Sequence, residues 1–169
     1  EQHRASVVIV SRLSFVSALV FLAGFLAVWH LCESVVIVEL GRAVIMEGGR
    51  IELPRAPDGH YYMTADVNGK PVSFVVDTGA SQIVLTRSDA RRIGIDLNDL
   101  SYIGRAYTAN GEVRTAPVRL DRIAIGTVID EGVRAVVNEC EMDQSLMGMD
   151  YLQRFSSVEI SGGRLILTR

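Results

Sequence analysis

The sequence predicts an all-β domain, a small barrel or sandwich, behind an apolar leader. Three observations predict it. Short β-prone runs are punctuated by the turn signals Asn68-Gly69, Asn110-Gly111, Gly126-Thr127 and Gly162-Gly163. Only two stretches, 88–94 and 145–155, read as helical. Residues 13–32 carry no charge, which leaves 58–169, about 110 residues, for one folded domain.

The uncharged stretch comes first in the chain. Its 20 residues, Leu13 to Cys32, span about 30 Å as a helix, the thickness of a bilayer's hydrocarbon core. Its only polar side chains besides Trp29 and Cys32 are Ser14, Ser17 and His30. Trp29 and His30 suit a headgroup layer at its end. A cleaved signal peptide would end in small residues; the exit here is Trp29-His30-Leu31-Cys32-Glu33. The bulky His30 and Leu31 also speak against lipid attachment at Cys32. Residues 13–32 therefore read as a retained transmembrane anchor. Arg4 and Arg12 precede it and Glu33 and Glu39 follow. That asymmetry puts residues 1–12 in the cytoplasm and the rest outside, in the periplasm of a bacterium.

Residues 33–57 read as a stalk. Val35 to Val38 is β-prone, but Gly41, Gly48-Gly49, Pro54 and Pro57 suggest an irregular spacer. The domain is expected to begin at 58–60. Tyr61 to Val67 and Pro71 to Val76 form a hairpin over Asn68-Gly69, and Phe74-Val75-Val76 reads as a fully buried strand. Ile83 to Leu85 is a short strand. A brief helix follows, with Ser88 as its cap and Gly94 as its stop. Tyr102 to Ala109 and Glu112 to Val118 flank Asn110-Gly111. Leu120 to Ile125 and Val128 to Val137 flank Gly126-Thr127. After the helical stretch 145–155, Val158 to Ile160 and Leu165 to Leu167 close the chain as a hairpin.

Composition excludes several functions. A net charge of −3 argues against a nucleic-acid binder. Two cysteines and three histidines, scattered along the chain, are too few for a zinc cluster or a disulfide framework. No metal or cofactor is expected.

The chemistry concentrates in Phe74-Val75-Val76-Asp77-Thr78-Gly79-Ala80-Ser81. A carboxylate at the end of a buried apolar strand is costly unless it is used. Gly79 allows a tight turn and close backbone approach. The Thr78 hydroxyl can hold that turn. The plain alternative is a β-turn, since Asp, Thr and Gly are all turn formers. A second element, Leu146-Met147-Gly148-Met149-Asp150, lies about 70 residues downstream and weighs against that alternative.

On these residues the sequence resembles the retropepsin-like aspartic proteases. With Gly59-His60, Asn68-Gly69 and Ala109-Asn110-Gly111 it is similar to their membrane-anchored alpha-proteobacterial branch. The resemblance covers roughly 58–168. It implies a single-lobed acid-protease barrel with one or two short helices. It implies Asp77 as catalytic residue, supported by Thr78, Gly79 and Ala80. Leu146, Met147 and Gly148 form the strand beside the catalytic turn. Thr108, Ala109, Asn110 and Gly111, with Tyr107 and Glu112, form a flap over the cleft; the alternative there is an ordinary exposed hairpin. Many members carry Arg after the downstream glycine, where this chain has Met149.

Aspartic proteolysis uses two carboxylates sharing one proton. This chain has one Asp-Thr-Gly in a half-sized domain, so the second acid is expected from another copy in a homodimer. Asp150 as the second acid is the lesser reading, because a carboxylate also suits a helix start. The resemblance further implies that chain termini interleave at the dimer interface, including Leu165 to Leu167. Ser81 is a candidate cleft residue. His60 reads as structural, and Cys140 as a free, partly buried thiol. The expected function is a membrane-anchored endopeptidase acting on protein or peptide substrates. Its rivals are a dimerising or peptide-binding module of the same fold without turnover, and self-cleavage in the stalk.

Overall fold

Asn68 and Gly69 both adopt positive φ, 50° and 79°, which is the two-residue turn that matches strand twist in a hairpin. They join β3 (Tyr62–Val67) to β4 (Lys70–Val76). Met63, Ala65 and Val67 point inward from β3, and Val72 and Phe74 from β4, as the alternation requires. The computed structural model describes residues 44–46, 49–108 and 111–169, the first three as backbone. The predicted cytoplasmic segment 1–12, the anchor 13–32 and the flap-tip residues Ala109 and Asn110 lie outside the described residues.

The remaining elements are β1 (Val44–Met46), β2 (Arg50–Pro54), β5 (Ile83–Leu85), α1 (Arg87–Arg92), β6 (Gly104–Thr108), β7 (Gly111–Ile125) and β8 (Val128–Asn138), then β9 (Ser145–Met147), α2 (Met149–Leu152), β10 (Ser157–Ser161) and β11 (Arg164–Thr168). Strands β3, β4, β9, β5, β8 and β7 pair in that order. Asp66 and Val67 of β3 then pair with Ala124 and Ile123 of β7, so the six strands close into a barrel. Strand β6 hangs from β7 outside the ring. The short β9 is wedged parallel to β4 and antiparallel to β5.

A second sheet has the order β1-β2-β11-β10. The spacer expectation fails for residues 50–54, while 33–43 and 47–48 lie outside the described residues. Residues 50–54 alternate enough apolar side chains to pair with β11, and Ile51 and Leu53 are fully buried. The folded unit thus starts ahead of the expected 58. Leu165 and Leu167 are buried beside them.

Three local expectations are corrected. Thr86, not Ser88, caps α1: its hydroxyl accepts from the Asp89 N–H at 3.0 Å. The stretch 145–155 is not one helix; Ser145–Met147 extends as β9, and only Met149–Leu152 is helical. The runs 112–118 and 120–125 are one strand, β7, because Arg119 between them keeps the ladder to β8 by pairing with Arg134.

Two buried carboxylates tie the elements together. Asp130 on β8 accepts from Tyr151 Oη at 3.1 Å and from Arg154 at 3.0 Å, and it receives two hydrogen bonds from Arg169. Burial pushes this carboxyl up, but the hydrogen bonds from Arg169 and Tyr151 and the arginine charges outweigh it and hold it below the usual carboxylate range. Burial, followed by the neighbouring Asp130, pushes the Tyr151 phenol up. Glu52 on β2 accepts from Arg164 at 2.7 Å and from Arg50 at 2.9 Å, and these bonds lower its carboxyl.

Candidate active site

Asp77 sits where β4 ends, because its backbone still belongs to the sheet while its side chain begins a turn. Its N–H donates to Met147 O at 3.1 Å, and the Val76 N–H donates to Tyr61 O at 2.9 Å. The turn then folds back on the carboxylate: the Gly79 N–H donates to Asp77 Oδ1 at 2.8 Å. The Ala80 N–H donates to the Asp77 carbonyl at 3.3 Å. Thr78 is exposed, and the bonds that close this turn run from the Gly79 and Ala80 N–H groups to the carboxylate and carbonyl of Asp77.

The downstream element grips the same turn from beneath. The Met149 and Asp150 N–H groups, at the start of α2, donate to Ala80 O at 2.9 Å and Ser81 O at 2.7 Å. Gly148 makes this approach possible. A Cβ there would lie 2.2 Å from Gln82 O and 2.7 Å from Ala80 O, so no side chain fits. Leu146 pairs with Val75 on one side and Val84 on the other, while Met147 pairs with Val76 and is fully buried. Asp77 and Leu146-Met147-Gly148 are thus brought together as expected. Asp150 is exposed in the first turn of α2 and is absent from the walls of both cavities that Asp77 lines.

Asp77, Gly79, Ala80 and Ser81 form one wall of a cleft of about 720 Å³. Arg105, Ala106, Tyr107, Thr108 and Val113 of the β6–β7 hairpin form the facing wall. Val84, Val136 and Leu146 supply apolar lining, and Gln82, Thr115 and Asn138 supply polar groups. On its other side Asp77 borders a second cavity of about 550 Å³ with His60, Tyr62, Glu141 and Asp143. His60 is exposed there.

The hairpin lies across the cleft from the Asp77 turn. Thr108 pairs with Gly111 across its tip, and the Thr108 hydroxyl donates to Gly111 O at 2.9 Å. Arg105 and Glu112 form an ion pair at 3.0 Å on its surface. Tyr107 is 83% exposed although it lines the cleft. Cys140 is an exposed free thiol rather than a partly buried one.

Several cleft and support residues escaped the sequence reading. Thr115 and Asn138 meet only because the β7–β8 register pairs them. Ser145, fully buried, donates to Asp89 Oδ2 at 2.6 Å and accepts from the Thr86 N–H at 3.1 Å. These contacts join residues 56 and 59 positions apart, which no local pattern reports.

A single-lobed, six-stranded barrel with a strand-end Asp-Thr-Gly under a hairpin is the retropepsin-like aspartic protease fold. The family model described as gag-polyprotein putative aspartyl protease matches residues 63–154, and the chain belongs to that family. The crystal structure of a retropepsin-like aspartic protease from Rickettsia conorii matches with a TM-score of 0.65 and 42% identity, covering 70% of this chain and 89% of that one. The protease of EIAV, solved with the inhibitor HBY-793, shares the fold at a TM-score of 0.53 and 19% identity, covering 62% of this chain and 96% of that one. An uncharacterised protein of Rickettsia prowazekii is 44% identical over 121 residues, 72% of this chain and 52% of its own length. A Sinorhizobium protein from the cobV 5′ region is 40% identical over 132 residues, 75% of this chain and 57% of its own length. The chain therefore spans about half the length of these curated relatives.

Proposed function

We propose that this chain is a homodimeric aspartic endopeptidase. The observation that carries the reading is the Asp77 carboxylate, held by the Gly79 N–H at the wall of a 720 Å³ cleft and faced by a hairpin. One chain brings one such carboxylate. Two copies related by a twofold axis bring two, and adjacent carboxylates share one proton because like charges at short range resist joint ionisation. The ionised Asp77 takes a proton from a water, which attacks the peptide carbonyl. The protonated Asp77 hydrogen-bonds the carbonyl oxygen as negative charge develops there. The amide nitrogen leaves with a proton returned from the pair. The β6–β7 hairpin closes over the bound peptide and excludes bulk water.

Residues 13–32 anchor this enzyme in a membrane, with its N-terminus cytoplasmic and its catalytic domain periplasmic. The supporting features are the 20-residue uncharged run and the Arg-before, Glu-after asymmetry. Anchoring raises the local concentration of the copies that must pair. The test is cleavage of a peptide library at acidic and neutral pH by the purified full chain beside its Asp77→Asn variant. Cleavage by the parent and a loss of about 10²-fold or more in the variant is expected. Equal cleavage by both overturns the assignment.

A further inference from the structure

Helix α1 carries three arginines, Arg87, Arg91 and Arg92. Arg92 forms an ion pair with Asp89 of the same helix. Among the described residues Arg87 and Arg91 pair with no carboxylate. Four positions apart, they share one face of the helix, with Cβ atoms about 5–6 Å apart. Both line a cavity of about 400 Å³, separate from the two that Asp77 borders. The Nε of Arg87 is buried and has no hydrogen-bond partner, one of two such side-chain atoms among the described residues. Basic residues near a helix end often serve its last carbonyls. Here three of those carbonyls are already taken. The Ile93 N–H donates to Asp89 O at 3.0 Å, the Gly94 N–H to Arg91 O at 3.1 Å and the Ile95 N–H to Ala90 O at 3.0 Å. The two guanidiniums are not needed as caps.

The rest of the wall selects the ligand. Ile95 and Leu97 pack against the core and give the cavity an apolar side. Asp96 also lines it, with its carboxylate accepting from the Asn98 N–H at 2.9 Å. Two guanidiniums and one carboxylate leave a single net positive charge. That balance suits a monoanion and disfavours a phosphate dianion. A carboxylate can accept two parallel hydrogen bonds from Arg87, through Nε and a terminal nitrogen, which gives the buried Nε its acceptor.

We infer that this cavity is an exosite for the substrate: it takes an Asp or Glu side chain, flanked by an apolar residue, from a stretch of the peptide outside the Asp77 cleft. The inference rests on the protease reading, which makes a peptide the molecule that passes. Gln82 lines the cleft, and Arg87 lies five residues further along the chain through β5. The two are therefore at most about 17 Å apart, a span that five extended residues of substrate cover. The mount is firm. Ala90 of α1 is fully buried, and Asp89 is held by the Ser145 hydroxyl at 2.6 Å.

The test uses the full Asp77→Asn chain in mild detergent, with acetyl-Leu-Glu-Leu-amide as probe. Titration is expected to move the backbone amide NMR signals of residues 87–98. Acetyl-Leu-Gln-Leu-amide should leave them in place. Replacing both arginines, Arg87→Gln with Arg91→Gln, should weaken binding at least about tenfold and leave the thermal midpoint unchanged. Equal shifts from the two peptides, shifts absent from 87–98, or tighter binding of inorganic phosphate there would each overturn the exosite. In the active chain, a cleaved peptide is extended by a Gly-Ser spacer of about eight residues, which spans about 16 Å, to Leu-Glu-Leu or Leu-Gln-Leu. The Glu form should show a KM about tenfold lower at the same kcat, and the double variant should erase the difference. Equal KM values in the parent would also overturn it. Glu-specific shifts at 87–98 in a chain whose parent cleaves no peptide uphold the carboxylate cavity while the protease reading fails.

Discussion

Gly148 and Gln82 approach so closely that a Cβ at position 148 would stand 2.2 Å from the Gln82 carbonyl oxygen. The obstacle is backbone on a strand-flanked turn, which cannot swing aside as a side chain can. Gly148→Ala must push β9 and α2 away from the Asp77 turn, breaking the Met149 and Asp150 hydrogen bonds to Ala80 and Ser81. A loss of about 3 kcal/mol or more in stability is expected, at the upper end of overpacking penalties. Chemical denaturation of the full chain measures it. A variant as stable as the parent would contradict the packing.

Ser145 is fully buried and serves two partners, donating to Asp89 Oδ2 and accepting from the Thr86 N–H. Ser145→Ala leaves a buried N–H without its acceptor. The expected cost is about 1–3 kcal/mol, the penalty of an unsatisfied buried donor. Because Thr86 also caps α1, that helix should lose amide-exchange protection first. Unchanged protection at residues 87–92 would show that the network does not hold α1.

The acid side of the stability curve should report Asp130. Its folded carboxyl lies below its unfolded value, so its stabilisation is complete above the unfolded value, near 4, and fades as pH falls through the lower folded value. Glu52, lowered by Arg164 and Arg50, acts in the same direction. The thermal midpoint should be flat from neutral pH to about 5 and decline below about 4. Asp130→Asn removes the charge that Arg154 and Arg169 share. It should lower the midpoint at neutral pH and make the acid decline shallower. A decline equally steep in the variant would remove Asp130 from the account.

The contrast between these residues explains what the sequence could reveal. Asp77-Thr78-Gly79 was legible because a charged residue ending an apolar run violates local patterning, and such violations point to use. Asn68-Gly69 and Gly162-Gly163 were legible because positive φ selects those residues. Strand β2 was not, because Gly48-Gly49 and Pro54 frame a stretch whose partner, β11, lies more than a hundred residues away. The helical reading of 145–155 failed at Ser145, where tertiary pairing on both edges of β9 overrides a short apolar run. Asp130 and Ser145 looked like ordinary polar residues; only the fold brings Arg169 to one and Asp89 to the other. The cleft lining has the same origin, since Thr115 and Asn138 share a wall by strand register.

Gly79 separates positioning of the carboxylate from stability of the turn. It is not among the positive-φ glycines, so alanine can adopt its backbone conformation. A Cβ there would meet a single atom within 4 Å, Asp77 Oδ1 at 3.1 Å. That contact is tighter than comfortable, and the carboxylate can yield by rotating. Gly79→Ala should therefore change stability by no more than about 1 kcal/mol, with the restricted unfolded chain offsetting part of the strain. Proteolysis is far less tolerant, because a reacting group displaced by a fraction of an ångström loses its alignment with water and carbonyl. In the proposed enzyme, peptide cleavage should fall by about 10-fold to 10²-fold. The loss should lie in kcat rather than KM, since substrate binding along the cleft does not pass through Gly79 alone. A variant that keeps its stability and full kcat would mean that the Asp77 carboxylate is not aligned by this turn.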